Sequence, residues 1–211
     1  MMTNNGGVVG VSDHGGWAVF VTASADGTLL DRRRVELVDD DLPAIPHHHE
    51  AQLLPLDEGV ALVERVRASA QRHAALALDG VAWVERERAS AERDAARLLD
   101  AQAGTVPDMS GIALRARPTL PPTIAERITD YRSRNVADWV MYRNVLASAA
   151  EMRGWAVHWY DAKTVLDAAS RTLRGENFDA YFLRMRKAVG PPWNGDHKLA
   201  MAAAIAAGSV E

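Results

Sequence analysis

The stretch Val8-Val9-Gly10-Val11-Ser12-Asp13-His14-Gly15-Gly16-Trp17-Ala18-Val19-Phe20-Val21-Thr22-Ala23 decides how this chain folds. The β-branched run 8–12 reads as a buried strand. Gly15-Gly16 breaks it as a turn, and 17–23 reads as a second strand. Asp26-Gly27 then predicts a two-residue type I′ hairpin, because both central positions of that turn need positive φ. Residues 28–38 read as a third strand. Its Arg32-Arg33-Arg34 segment interrupts the apolar pattern and marks an exposed part of that strand. Two tight turns between three short strands make an antiparallel meander.

Downstream the period changes. Residues 39–55 form a proline-punctuated loop that carries Asp39-Asp40-Asp41 and His47-His48-His49-Glu50. From Asp57, apolar residues recur at helical spacing as Val60, Val63, Val66, Ala70 and Ala74. Between 85 and 100, charges of alternating sign with alanines predict a solvated helix or an extension, followed by a linker to 110. Residues 111–117 read as a strand. Thr123 and Glu126 have capping-box spacing and open a helical region that reaches Arg153, with a break expected near Asn135 and a stop at Gly154. A strand at 155–160, helices at 162–173 and 178–189, and a last helix at 198–207 opened by Asp196 complete the order. Three strands followed by alternating helices and strands predict an α/β protein, a mixed sheet with helices on both faces. The expected organisation is a single domain over 1–211, with 85–110 as a charged helical extension and linker.

The 211 residues are 48% apolar and 25% charged, the balance of a chain that builds a core. Cysteine is absent, which excludes disulfides, thiolate metal sites and a cysteine nucleophile. The first residues lack the pattern of a signal peptide, and the apolar run 199–207 is too short to span a bilayer. A cytoplasmic protein without membrane association is expected. The formal charge of -4 gives no global attraction to nucleic acid and leaves only a local basic face to supply one. Neither a phosphate-binding G-x-x-x-x-G-K-[ST] loop nor a dinucleotide fingerprint is present.

The β-β-β-α-β-α-β-α order resembles the ribonuclease H-like superfamily, which includes Holliday-junction resolvases, transposases and the halves of actin-like ATPases. Two motifs add to the resemblance. Val8-Val9-Gly10-Val11-Ser12-Asp13 is similar to that fold's first strand, which carries an acid. Asp196-His197-Lys198-Leu199-Ala200-Met201 resembles the start of a resolvase-type last helix. The resemblance implies a nucleic-acid-binding protein or metal-dependent nuclease, with Asp13 and Asp196 as first and last ligands of a divalent metal such as Mg²⁺. Hard oxygen ligands suit that ion, and two metals ~4 Å apart can activate a water and stabilise a leaving oxygen. The acid expected after the fourth strand is missing, since that strand ends Arg115-Ala116-Arg117-Pro118. Glu64, like Glu58 on the first helix, or Asp161 after the fifth strand is available as a third ligand. The actin-like reading, with Asp13-His14-Gly15-Gly16 as a phosphate hairpin, needs two such halves and far more chain.

Each candidate also has a structural reading. Asp13 can start a turn, and Asp196 can cap the last helix. Arg115, Arg117, Arg132 and Arg134, with Arg127 and Arg143, form a basic sector beside Tyr131, Trp139 and Tyr142. That sector suits single-stranded nucleic acid or is a solvated arginine face. His47 and His49 could share a metal if His14, His158 or His197 joined them, or could belong to a polar loop. The charged helix at 85–100 offers a surface for a homodimer or another partner, which a non-catalytic interaction module would use.

Overall fold

The structure, a computed structural model, describes residues 6–24, 26–98, 109–174 and 176–208, with the backbone alone from 84 to 98. Five strands form one mixed sheet in the order β3-β2-β1-β4-β5. The strands are β1 (Gly7–Asp13), β2 (Trp17–Ala23), β3 (Leu29–Glu36), β4 (Met109–Arg115) and β5 (Ala156–Tyr160). β1 pairs antiparallel with β2 and parallel with β4, and β5 adds parallel to β4. The helices are α1 (Leu56–Leu98), α2 (Ile124–Thr129), α3 (Tyr131–Glu151), α4 (Val165–Thr172), α5 (Phe178–Val189) and α6 (Gly195–Gly208).

The two faces of the sheet carry separate cores. Val9 and Val11 of β1 face the side covered by α1, α2 and α3, together with Phe20, Ile112 and Leu114. On α1 the buried positions Val63, Val66, Ala70, Ala74, Leu78 and Val81 follow the helical period. Val8 of β1 belongs to the other core, with Val19, Val21 and the residues of α4, α5 and α6. Because neighbouring residues of a strand alternate between faces, β1 divides its side chains between these two layers. The expected mixed sheet with helices on both faces is therefore the observed one.

α6 lies directly against β1, and small residues permit it. A Cβ at Gly10 would sit 1.8 Å from the carbonyl oxygen of Ala200 and 2.7 Å from the amide nitrogen of Ala204. The helix is buried nearly all round, including Met201 and Ile205. Burying one such large side chain contributes roughly 1.5–3 kcal/mol.

Several local expectations change. The β2–β3 connection spans 24–28 rather than two residues, and Asp26 closes it by accepting from the Ser24 hydroxyl and the Thr28 amide. The Gly27 amide donates to the Ser24 carbonyl at 3.0 Å, so Asp26 and Gly27 are not the two central residues of the turn, as the predicted type I′ hairpin requires. The break in the second helical region falls at Asp130, not Asn135. Asp130 has extended ψ, and its carboxylate caps the amide of Ser133 at 2.7 Å. Of the arginine segment, Arg34 is exposed while Arg32 and Arg33 are half-buried. Arg32 donates to carbonyls of the turn after α5, among them Gly190 at 2.9 Å and Pro192 at 2.6 Å. The backbone confirms a helix through the charged stretch to Leu98, and the expected linker lies largely outside the described residues. No helix among the described residues is long and apolar enough to cross a membrane.

Candidate functional site

Asp13 ends β1 on the α3 side of the sheet, in step with Val9 and Val11. Its side chain is 1% exposed, and it accepts a hydrogen bond from Arg143 Nε at 2.8 Å. Arg143 comes from the middle of α3 and also donates through Nη1 to the carbonyl of Ala116 at 3.2 Å. Arg115, at the end of the neighbouring β4, is close enough to act on Asp13 electrostatically. Its Nε is buried and has no hydrogen-bond partner among the described residues. Burial pushes the Asp13 carboxyl above the ordinary carboxylate range, against the opposite pull of Arg143 and then Arg115. Two guanidinium groups thus attend one buried carboxylate.

The residues on either side of Asp13 point the other way. Ser12 Oγ donates to Asp196 Oδ1 at 3.0 Å, and His14 Nε2 lies 2.8 Å from the same oxygen. Burial alone would raise the Asp196 pKa. The hydrogen bonds from His14 and Ser12 outweigh it and bring that carboxyl below its ordinary value. His14 stacks on Trp17 at 3.9 Å with an interplanar angle of 5°. The Arg34 guanidinium lies 3.8 Å from the Trp17 centroid. At these separations the two groups cannot share a face of the indole, so Trp17 is covered on both. Asp196 does not cap its own helix: Asn194 Oδ1 takes the Asp196 amide at 3.1 Å.

Asp13 and Asp196 are thus held from opposite faces of the sheet by different partners. Glu64 pairs with Arg67 one turn along α1. Asp161 is exposed and accepts from the Lys163 amide at 2.8 Å. The four predicted ligands do not converge, and among the described residues no group of three or more His, Asp or Glu could hold a metal ion. A divalent metal does not fit here. Beside Asp13 the position of a cation is taken by Arg143, and Asp196 already receives two donors.

The histidine loop has a different use from chelation. His47 is 1% exposed, and its Nδ1 lies 2.7 Å from Asp138 Oδ1. The same carboxylate takes the backbone amides of His47 and His48, each at 3.1 Å. Asp138 thereby fastens the loop to α3. His14 and His197 sit at Asp196 and Asn194 instead of joining His47.

The predicted basic residues divide into buried and open. Arg115 is half-buried beside Asp13, whereas Arg117 and Arg132 are exposed. Arg117 lies 4.4 Å over the Trp159 ring, which is 39% exposed, and Arg134 lies 5.1 Å over Tyr131, which is 68% exposed. Arg127 instead ties the carbonyls of Pro121 and Pro122, at 2.7 and 3.0 Å.

The sheet order, the strand directions and the helices on both faces are those implied by the resemblance of the sequence. The chain is an α/β protein built on one five-stranded mixed sheet. No family model matches it, and no curated protein matches it. Among solved structures it is similar to T. thermophilus RuvC in complex with Holliday junction substrate, at 12% identity and a TM-score of 0.46, covering 95% of this chain and 91% of that one. It is also similar to a structure of Thermus thermophilus RuvC, at 11% identity and a TM-score of 0.44, covering 95% and 92%. Within this sheet, the end of β1 carries an arginine–aspartate pair.

Proposed function

We propose that this protein binds nucleic acid without cutting it. The observation that carries the proposal is the buried Asp13–Arg143 ion pair with Arg115 beside it. Metal-assisted phosphodiester cleavage needs carboxylates free to hold cations. Here guanidinium groups supply positive charge at the carboxyl end of β1 and β4, independently of any metal. The exposed Arg117–Trp159 pair, and the half-buried Arg134 over the exposed Tyr131, add charge and ring faces of the kind that engage a phosphate backbone and unstacked bases. The test measures binding and cleavage of labelled single-stranded, duplex and branched DNA and RNA, in EDTA and in Mg²⁺ or Mn²⁺. The expected result is metal-independent binding that weakens with salt and leaves the strands intact. Metal-dependent cleavage abolished by Asp13→Asn would overturn the proposal.

A second reading concerns α1. Leu76 is 70% exposed and Trp83 is 58% exposed, and seven residues apart they share one side of the helix. Under this reading α1, continuing through 85–98, pairs with a second copy of the chain. Light scattering should then give a dimer, and Leu76→Asp with Trp83→Asp should give a monomer. A monomeric wild-type protein at tens of micromolar would exclude this reading.

A further inference from the structure

A cleft of about 270 Å³ lies between α1, α2 and α3, apart from the end of β1. Its lining carries two cations, Arg67 and Arg127, and no acid. The acids that act on these cations are not in the lining: Glu64 pairs with Arg67, and Glu126, which acts on Arg127, is held in the Thr123 capping box. Arg127 Nε and Nη2 donate to the carbonyls of Pro121 and Pro122, which fixes its guanidinium at the edge of the cleft it lines. Burial, and then the Arg67 charge beside it, lower the Arg127 pKa, as expected for like charges held close together. Asn144 also lines the cleft, and its carboxamide oxygen is buried without a hydrogen-bond partner among the described residues. Met141 and Val145 supply apolar surface.

We propose that this cleft binds a small phosphate monoester of the nucleoside monophosphate class. A carboxylate is satisfied by one guanidinium fork, whereas two guanidinium groups from separate helices suit a dianion. The unmet Asn144 oxygen asks for a donor, which a sugar hydroxyl or a ring N–H provides. The apolar surface suits a base, and the volume limits the ligand to about one nucleotide, below the usual ~300–1,000 Å³ of drug-sized sites.

Isothermal titration calorimetry on the full chain, with uridine monophosphate, uridine and inorganic phosphate as probes, tests this. Uridine monophosphate should bind more tightly than either part alone. Arg67→Gln and Asn144→Leu should each weaken it, the former by about tenfold or more, since it removes a charge-assisted hydrogen bond. Arg127→Gln should do the same. If that variant fails to fold because 121–122 come loose, the exposed Arg67 still decides the matter. No heat of binding at millimolar uridine monophosphate, equal affinity for inorganic phosphate or uridine, or wild-type affinity in Arg67→Gln would each overturn the proposal.

Discussion

Arg143 donates through Nε to the Asp13 carboxylate at 2.8 Å, and the two side chains are 8% and 1% exposed. A carboxylate so enclosed depends on its partner. Arg143→Met should destabilise the fold by about 3–5 kcal/mol, because it strands a buried charge. Asp13→Leu combined with Arg143→Met should recover much of that loss, as read from urea unfolding. Burial holds the folded pKa of Asp13 above its unfolded value, so the folded state keeps the proton more tightly. Stability from this group is therefore lost as pH rises through the folded pKa. Removing Arg143, which pulls the other way, should make the variant's deficit grow with rising pH.

At Gly10 the backbone of α6 lies directly against β1. Gly10→Ala should cost at least the ~1–3 kcal/mol typical of overpacking, because the obstacle is the backbone of Ala200 and Ala204. A melting temperature within a degree of wild type would contradict this packing.

Asp138→Ala should loosen the loop 39–55 on α3, leaving the Tyr142 hydroxyl, which donates to the Ala44 carbonyl at 2.8 Å, as a remaining tie. It leaves the His47 ring and two backbone amides without their acceptor, at roughly 1–3 kcal/mol for each buried group left unsatisfied. Hydrogen exchange should rise across the loop before it rises in β1. Uniform exchange across both would show that Asp138 does not act locally.

Burial lowers the pKa of His158, and burial followed by the Arg32 charge lowers that of His197. Between the folded and unfolded values the unfolded chain binds more protons, so stability rises with pH there. It is present above the ordinary histidine pKa of 6.5 and is lost as pH falls through the depressed folded values. Thermal midpoints should fall on acidification below about pH 6.5, the ordinary histidine value, and His158→Gln should reduce the slope. An unchanged slope would show that His158 does not contribute to the acid sensitivity.

The meander was legible because Gly15-Gly16 and Asp26-Gly27 separate short β-branched runs, and the helices on α1 and α6 followed from period and alanine content. The exact turn at Asp26 was not legible, because its side-chain hydrogen bonds compete with the backbone geometry that its dipeptide favours. At the site, Asp13 was readable as an acid at a strand end. Its partner was not, since Arg143 is 130 residues away and looks like any arginine of the basic sector. Strand alternation does contain one usable signal. Asp13 shares a face with Val9 and Val11, so it could not turn toward a helix that packs on Ser12. Asp138 gave no signal, because a single acid in a helix is ordinarily solvated.

If guanidinium rather than metal holds the charge at the end of β1, nucleic acid binds without a divalent cation and is not cut. Fluorescence anisotropy of labelled branched and single-stranded DNA, read in EDTA and in Mg²⁺ with the strands recovered on a denaturing gel, tests it most directly. The same affinity is expected in both conditions, with weaker binding by Arg117→Ala with Arg132→Ala and uncut strands throughout. Cleavage that requires Mg²⁺ and disappears in Asp13→Asn would contradict it.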